Sequence, residues 1–350
     1  MTPRFVSKLV CSCALSGMAL MSIGGSALAA DEVNVYSYRQ PFLVKPLFAK
    51  FTEETGIKVN VLFAKKGLTD RIKLEGANSP ADVLLTVDIG SVSGAKSAGV
   101  TQPVASAKVD ANVPSSYRDP DGHWIGLTTR ARVVYASKER VLQDSITYEE
   151  LADPKWKGKI CIRSGKHVYN VAMVAAMLKH AGEANTKTWL EGVKANLARK
   201  PAGNDRAQVK GVFSGQCDIA IGNTYYMGKM MTNEKKPEQK KWAASVKILF
   251  PNTAGRGTHV NISGASLAKH APNKANGIKL IEFLTGDAAQ KIYASVNHEY
   301  PVKAGVAPSD LVTSWGTFNA DPSKLDEIAK LRKRATELVD EVAFNEGPSS

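Results

Sequence analysis

Cysteine is scarce in this chain: four occur in 350 residues, and Cys11 and Cys13 lie in an N-terminal segment that reads as removable. The remaining two, Cys161 and Cys217, form no C-x-x-C, which argues against a cysteine-held zinc. The six histidines are scattered, with neither H-E-x-x-H nor H-x-H spacing. No EF-hand loop is present, so a calcium site of that kind is excluded. G-x-S-x-G is missing and no Ser/His/Asp order stands out, which leaves an exported hydrolase poorly supported. The chain also lacks RNP, zinc-knuckle and helix-turn-helix patterns, so its positive charge does not point to nucleic acid. Beyond residue 30 no apolar run reaches membrane-spanning length. Repeats, low-complexity tracts and flexible linkers are absent too.

What is present begins with a leader. Arg4 and Lys8 precede an apolar, small-residue stretch from Leu9 to Gly25, and Ala27-Leu28-Ala29 supplies an A-x-A site. This three-part pattern predicts a secretory signal peptide over 1–29, and Cys11 and Cys13 lie too early for a lipobox. The mature product is then expected in an extracytoplasmic space, most plausibly a bacterial periplasm. Losing Arg4 and Lys8 takes the formal charge from +13 to +11. Solvated lysine-rich faces account for such a balance; the sharper reading is an anionic ligand or a cell-envelope partner. In an oxidising compartment Cys161 and Cys217 become candidates for a disulfide, each within a strand-like run, KICIRSG and QCDIAIG.

A mature chain of this length suits two lobes better than one core. VNVYSY (33–38) reads as a strand, and Leu43, Leu47, Phe48 and Phe51 recur at helical spacing until Gly56. KVNVLFA (58–64), a helix over 68–78 and the buried strand ADVLLTVD (81–88) complete a β-α-β-α-β order, which implies parallel pairing through right-handed crossovers. The alternation restarts after the long β stretch GLTTRARVVYAS (126–137). It continues with a helical turn at 147–159, the strand KICIRS, helices at 170–181 and 187–197, and strands at 217–222 and 245–251. A second long β stretch, THVNISGAS (258–266), precedes helices at 273–285, 287–295 and 325–344. Two α/β lobes crossed by two β segments is the layout of a hinged clamshell. In the last helix Leu325, Ile328, Leu331, Leu338 and Val342 are predicted to face inward.

Ligands of open α/β sheets bind beyond the carboxyl ends of the strands. The residues placed there are YRQP (38–41), Lys65, Asp88, Arg130, the KHVYN loop with Tyr169, and NTYY with Tyr225 and Tyr226. Three phenols at strand ends of one lobe suit a hard, highly charged cation. A phenol titrates near pH 10, so only a strong Lewis acid displaces its proton at neutral pH. Ferric iron does so, and tyrosinate is a haem iron ligand in catalase. The bland alternative for each tyrosine is a half-buried aromatic with its hydroxyl satisfied, and for Asp88 a strand-end cap.

Over essentially its whole mature length the chain resembles the ferric-iron-binding proteins of bacterial ABC transporters. The resemblance rests on VYSYRQ (35–40), NSPADVLLTVD (78–88), GLTTRARVVYAS (126–137), WKGKICIRS (156–164), VYN (168–170), GQCDIAIGNTYYMG (215–228), GTHVNISGA (257–265) and NHEYPV (297–302). It implies a two-lobed periplasmic-binding-protein clamshell, each lobe a mostly parallel sheet flanked by helices. The expected boundaries are an N-terminal lobe begun by 30–129, a C-terminal lobe over 130–260, and a return to the first lobe plus terminal helices over 261–350. It also implies Fe3+ ligation by Tyr169, Tyr225 and Tyr226, delivery to a membrane permease, no catalysis, no nucleic acid, and a monomer. Relatives place a His-Tyr pair after the arginine that ends the first strand, whereas Arg39 is followed here by Gln40, Pro41 and Phe42. The first-lobe half of the site is thus open to Tyr38, to Arg39 or Gln40 behind a bound water, to Asp88, or to carbonate or another anion held by Arg130 and Lys65. The rival expectation is a carrier for a small organic or anionic solute such as a polyamine, thiamine or a phosphonate.

Overall fold

A computed structural model describes residues 1–2 and 31–348. The rest of the leader expected over 1–29, with Cys11 and Cys13, lies outside the described residues. Contacts divide the chain into two units, Met1–Ala30 and Asp31–Ser350, and the description below concerns the second. Its order opens with β1 (Glu32–Ser37), α1 (Pro41–Thr55), β2 (Lys58–Phe63), α2 (Leu68–Glu75), β3 (Val83–Thr86), α3 (Ile89–Ser97), β4 (Thr101–Gln102), α4 (Ala107–Asn112) and β5 (Ile125–Ser137). It continues through β6 (Ile160–Cys161), α5 (Val168–Ala195), α6 (Asp205–Phe213), β7 (Ile219–Asn223), α7 (Tyr225–Met231), α8 (Glu238–Ala244), β8 (Val246–Leu249) and β9 (Val260–Ala268). It closes with α9 (Lys274–Thr285), α10 (Asp287–Ile292), β10 (Tyr300–Pro301), α11 (Asp310–Thr313) and α12 (Leu325–Glu341). No helix of the described residues is long and apolar enough to cross a membrane.

The local signals explain the first elements. Pro41 opens α1, where its fixed φ and missing N–H cost nothing. Gly56 ends that helix in the left-handed region at φ 71, a conformation that penalises any residue with a Cβ. Val33 and Val35 of β1 and Leu47 and Phe51 of α1 are fully buried, and they pack with Val83, Leu85, Leu280 and Leu284 in one core. Each such side chain contributes about 1.5–3 kcal/mol on burial.

Among the described residues the strand order is β2-β1-β3-β9-β5-β7-β6, with β4 on β9 and with β8 and β10 on β5. Parallel pairing is confined to β2-β1-β3 and to β6-β7. The two long crossing strands run antiparallel to each other and to their neighbours, so both sheets are mixed. β5 serves both sheets. Its residues through Ala131 pair with β9, and from Arg132 onward they pair with β7. Around the second sheet Val134, Ile160, Val174, Ile219 and Ile221 form another core. Ile328, Leu338 and Val339 of α12 pack into it, with Leu331 half-buried beside them. The terminal helix therefore lies on α5, beside the second sheet.

α5 is one helical run broken at Gly182, and it covers both helices read from the sequence. Cys161 and Cys217 are joined in a disulfide between the last residue of β6 and the approach to β7. The bond closes a loop of 56 residues. Its reduction, or Cys217→Ser, is expected to remove about 2–4 kcal/mol of stability. Denaturant unfolding with and without reductant measures this, and coincident midpoints would contradict it.

Two buried histidines make the fold acid-sensitive. His259 is buried among Asp321, Arg132, Arg256 and Arg332, and burial pushes its pKa down to about 4. His298 stands at positive φ with its ring against Gly228, where a Cβ would come within 2.4 Å of it. Burial, and then Lys229, push that ring to about 4 as well, against the pull of Glu299. Both histidines fold neutral, while the unfolded chain takes up their protons near pH 6.5. As pH falls from 6.5 toward 4 the unfolded state therefore binds protons that the folded state refuses, and stability drops across that window. Thermal melts at about pH 7 and about pH 4.5 test this, with a lower midpoint expected in acid.

Candidate metal centre

The cleft between the two sheets encloses about 240 Å³ and is lined by Tyr38, Arg39, Gln40 and Lys65 on one side and by Arg130, Tyr169, Tyr225 and Tyr226 on the other. β7 delivers the tyrosine pair. The strand ends at Asn223, Thr224 is pinned by its N–H to the carbonyl of Ala131, and α7 begins at Tyr225. The two tyrosines thus occupy the first turn of a helix, so the opposite-face rule of a strand does not apply to them. Their ring centroids lie 4.4 Å apart. Tyr169 stands in the first turn of α5, where the His167 ring nitrogen caps the helix by accepting from the Tyr169 N–H. The hydroxyl of Tyr225 donates to that of Tyr169 at 3.1 Å.

The surroundings are cationic. The guanidinium carbons of Arg130, Arg132 and Arg163 lie 6.0, 5.9 and 5.5 Å from the centre of the Tyr169 ring. Arg206 lies 5.2 Å from that of Tyr226. Arg130 is 1 % exposed, yet only its Nη2 has a partner, the carbonyl oxygen of Val87. Its Nε and Nη1 have none among the described residues. Buried donors of a charged group without partners are costly, which marks this spot as suited to an oxyanion. Burial, and then the neighbouring phenols, raise the pKa of Tyr225 well above 10 and push that of Tyr226 up to about 12. Both are therefore neutral at physiological pH unless a Lewis acid displaces their protons.

The first-sheet candidates are already engaged. Arg39 forks onto Glu299 with its Nη1 and Nη2 at 3.0 and 2.9 Å, and both residues are buried. Asp88 caps α3 through the N–H groups of Gly90 and Ser91 and pairs with Arg332 at 3.2 Å, away from the cleft lining. The Tyr38 hydroxyl lines the cleft but accepts from the Thr69 N–H at 2.9 Å. Gln40 and Lys65 are exposed at the mouth.

Sequence reasoning missed Arg206, Lys229, Asp205 and Glu299. Asn204, which caps α6 through the Ala207 N–H, followed by Val209 and Val212, was the signal that could have found α6 and with it Asp205 and Arg206. Lys229 donates to the Val296 carbonyl at 2.8 Å and faces the Phe42 ring, spanning from the second sheet to the first. Among the described residues no three His, Cys, Asp or Glu side chains gather as a metal cluster. A cation in this cleft would meet phenol oxygens first, and only one able to expel their protons would stay.

The sequence profile of bacterial extracellular solute-binding proteins matches residues 78–317. The chain is 46% identical to iron uptake protein A1 of Synechocystis sp., over 97% of this chain and 94% of that one. In structure it is similar to the ferric iron-binding protein A of Mannheimia haemolytica in an open conformation, with a TM-score of 0.85, 55% identity, and 90% and 99% of the two chains covered. It is equally similar to the Trichodesmium IdiA (FutA) protein in complex with iron and citrate ligands, with a TM-score of 0.85, 42% identity, and coverage of 89% and 99%.

Proposed function

The chain belongs to the bacterial extracellular solute-binding protein family, and from that membership we propose that it is a ferric-iron carrier whose ligands are Tyr169, Tyr225 and Tyr226. The observation that carries this reading is the convergence of three phenols, two of them hydrogen-bonded to each other at 3.1 Å, in a cleft walled by arginines. Three phenolates balance the charge of Fe3+, and their protons leave as the ion enters. The names of the relatives, iron uptake and ferric iron-binding proteins, agree with the cargo.

The other half of the coordination sphere falls to an anion rather than to a first-lobe side chain. Arg39, Asp88 and Tyr38 are held by protein partners, whereas Arg130 keeps two buried N–H donors free for carbonate or a carboxylate, with Lys65 at the mouth. The Trichodesmium protein is in complex with iron and citrate ligands, and citrate is a carboxylate anion of the kind proposed here. We assign residues 30–129 and 261–310 to the first lobe and the tyrosines to the second, with hinge motion about β5 and β9. Acid favours release, because protons compete with iron for phenolate oxygens whose proton affinity burial has raised. On this reading the mature protein works as a monomer in the periplasm after leader removal, passes iron to a membrane permease, and catalyses nothing.

Titration of the purified mature protein with ferric citrate tests the cargo. A visible tyrosinate-to-iron charge-transfer band saturating at one equivalent is expected. A carrier of an organic solute would develop no such band, and its absence would overturn the proposal.

A further inference from the structure

Below the phenols lies a closed network of buried charge. Asp205 has no exposed surface. Its Oδ2 accepts from Arg132 Nη1 at 2.7 Å and from the Asn223 N–H at 2.9 Å, and its Oδ1 accepts from Arg163 Nη1 at 3.0 Å. Arg132 also donates to the side-chain oxygens of Asn223 and Asn170, at 3.0 and 2.7 Å. Asn170 in turn donates to the carbonyls of Arg163 and Ser164, both at 3.0 Å. Asn170 adjoins Tyr169, and Asn223 precedes Tyr225 by two residues. One carboxylate therefore ties together two segments whose tyrosines are 56 residues apart in sequence.

Arg132 is buried and Arg163 is mostly so, its side chain 13 % exposed. Arg132 is 2 % exposed, and its Nε, like that of Arg163, has no partner among the described residues. A buried network in which each member fixes the next holds its attachments to a fraction of an ångström. Residues that orient metal ligands in this way typically affect metal affinity 10–100-fold without touching the ion.

We propose that Asp205, Arg132 and Arg163 form a positioning unit that presets Tyr169 against the Tyr225–Tyr226 pair, so that the second lobe offers its phenols already assembled before cargo arrives. The unit rests on the reading of these phenols as iron ligands, and it makes a separate claim. Arg163 acts on iron mainly through the Tyr169 segment, which its guanidinium faces, whereas Asp205 is bonded into both segments.

The test is a double-mutant cycle on the full mature chain, with ferric citrate as the probe and the visible band as the readout. Arg163→Gln is expected to weaken iron binding about 10–100-fold and to shift the band. In a Tyr169→Phe background the same substitution is expected to cost several-fold less than in the unsubstituted chain. Asp205→Asn should weaken binding more than Arg163→Gln, with Arg163→Gln carrying the cycle if the Asp205 variant does not fold by circular dichroism. Equal losses in both backgrounds would mean a general structural role and would overturn the proposal, as would an unaltered band and affinity in Arg163→Gln. A band missing from the unsubstituted protein would instead refute the ligand reading itself.

Discussion

Tyr225→Phe is expected to lower the affinity for ferric iron by two orders of magnitude or more and to abolish or strongly diminish the visible band. Structural zinc sites with four ligands bind with about 10–16 kcal/mol, so one ligand of such a set averages about 2.5–4 kcal/mol. That converts to about a hundredfold in affinity. Phenylalanine keeps the ring and its 4.4 Å contact with Tyr226, so packing is conserved and only the oxygen is lost. The hydrogen bond to Tyr169 goes with it, which leaves a second phenol less well placed. Iron titration followed in the visible range and by competition with citrate measures both effects. An unchanged band would remove Tyr225 from the ligand set.

Breaking the Arg39–Glu299 pair is expected to have the largest effect on stability. Both side chains are buried, and the contact is bidentate at 2.9 and 3.0 Å. Thr128 adds a hydroxyl donor to Glu299 at 3.0 Å. Burial alone would raise the Glu299 pKa, but Arg39 and the hydrogen bonds hold it below the usual carboxylate range. Arg39→Met strands that carboxylate, and loss of one partner of a buried pair costs about 3–5 kcal/mol. Converting both positions together, Arg39→Met with Glu299→Met, should recover much of the loss, because two apolar groups leave no orphaned charge. Chemical denaturation of the two variants decides it. The single change should unfold at clearly lower denaturant, and a single variant as stable as the double would argue that the pair is solvated.

The sequence exposed the sheets far better than the cleft's support. Val33, Val35, Val83 and Leu85 alternate or cluster with period two, and the crossing strands are apolar over long stretches, so β1, β3, β5 and β9 could be read directly. Short helices were harder. α7 has seven residues and contains Gly228, which leaves too few turns for a periodic signal, so the sequence marks no helix at the tyrosine pair. The direction of β5 against β9 was not legible either, because pairing between distant strands leaves no local mark. The three phenols stood out as residue types at strand ends. What holds them did not, since Asp205 meets Arg132 across 73 positions and Arg39 meets Glu299 across 260. Nothing local to Arg39 says that its fork is occupied.

The strand shared by both sheets has a mechanical consequence. When two arms turn about a pivot, atoms at the pivot travel least. Arg130 stands on β5 one residue before its last pairing with β9 and two before its first with β7, so it sits at the fulcrum. Its guanidinium is moored to the Val87 carbonyl on one arm and faces the Tyr169 ring on the other. On the proposed hinge about β5 and β9, this positive charge would stay nearly stationary, like the axle of a balance. A cargo resting against it would then keep one fixed electrostatic reference while the rest of the cleft opened and shut around it.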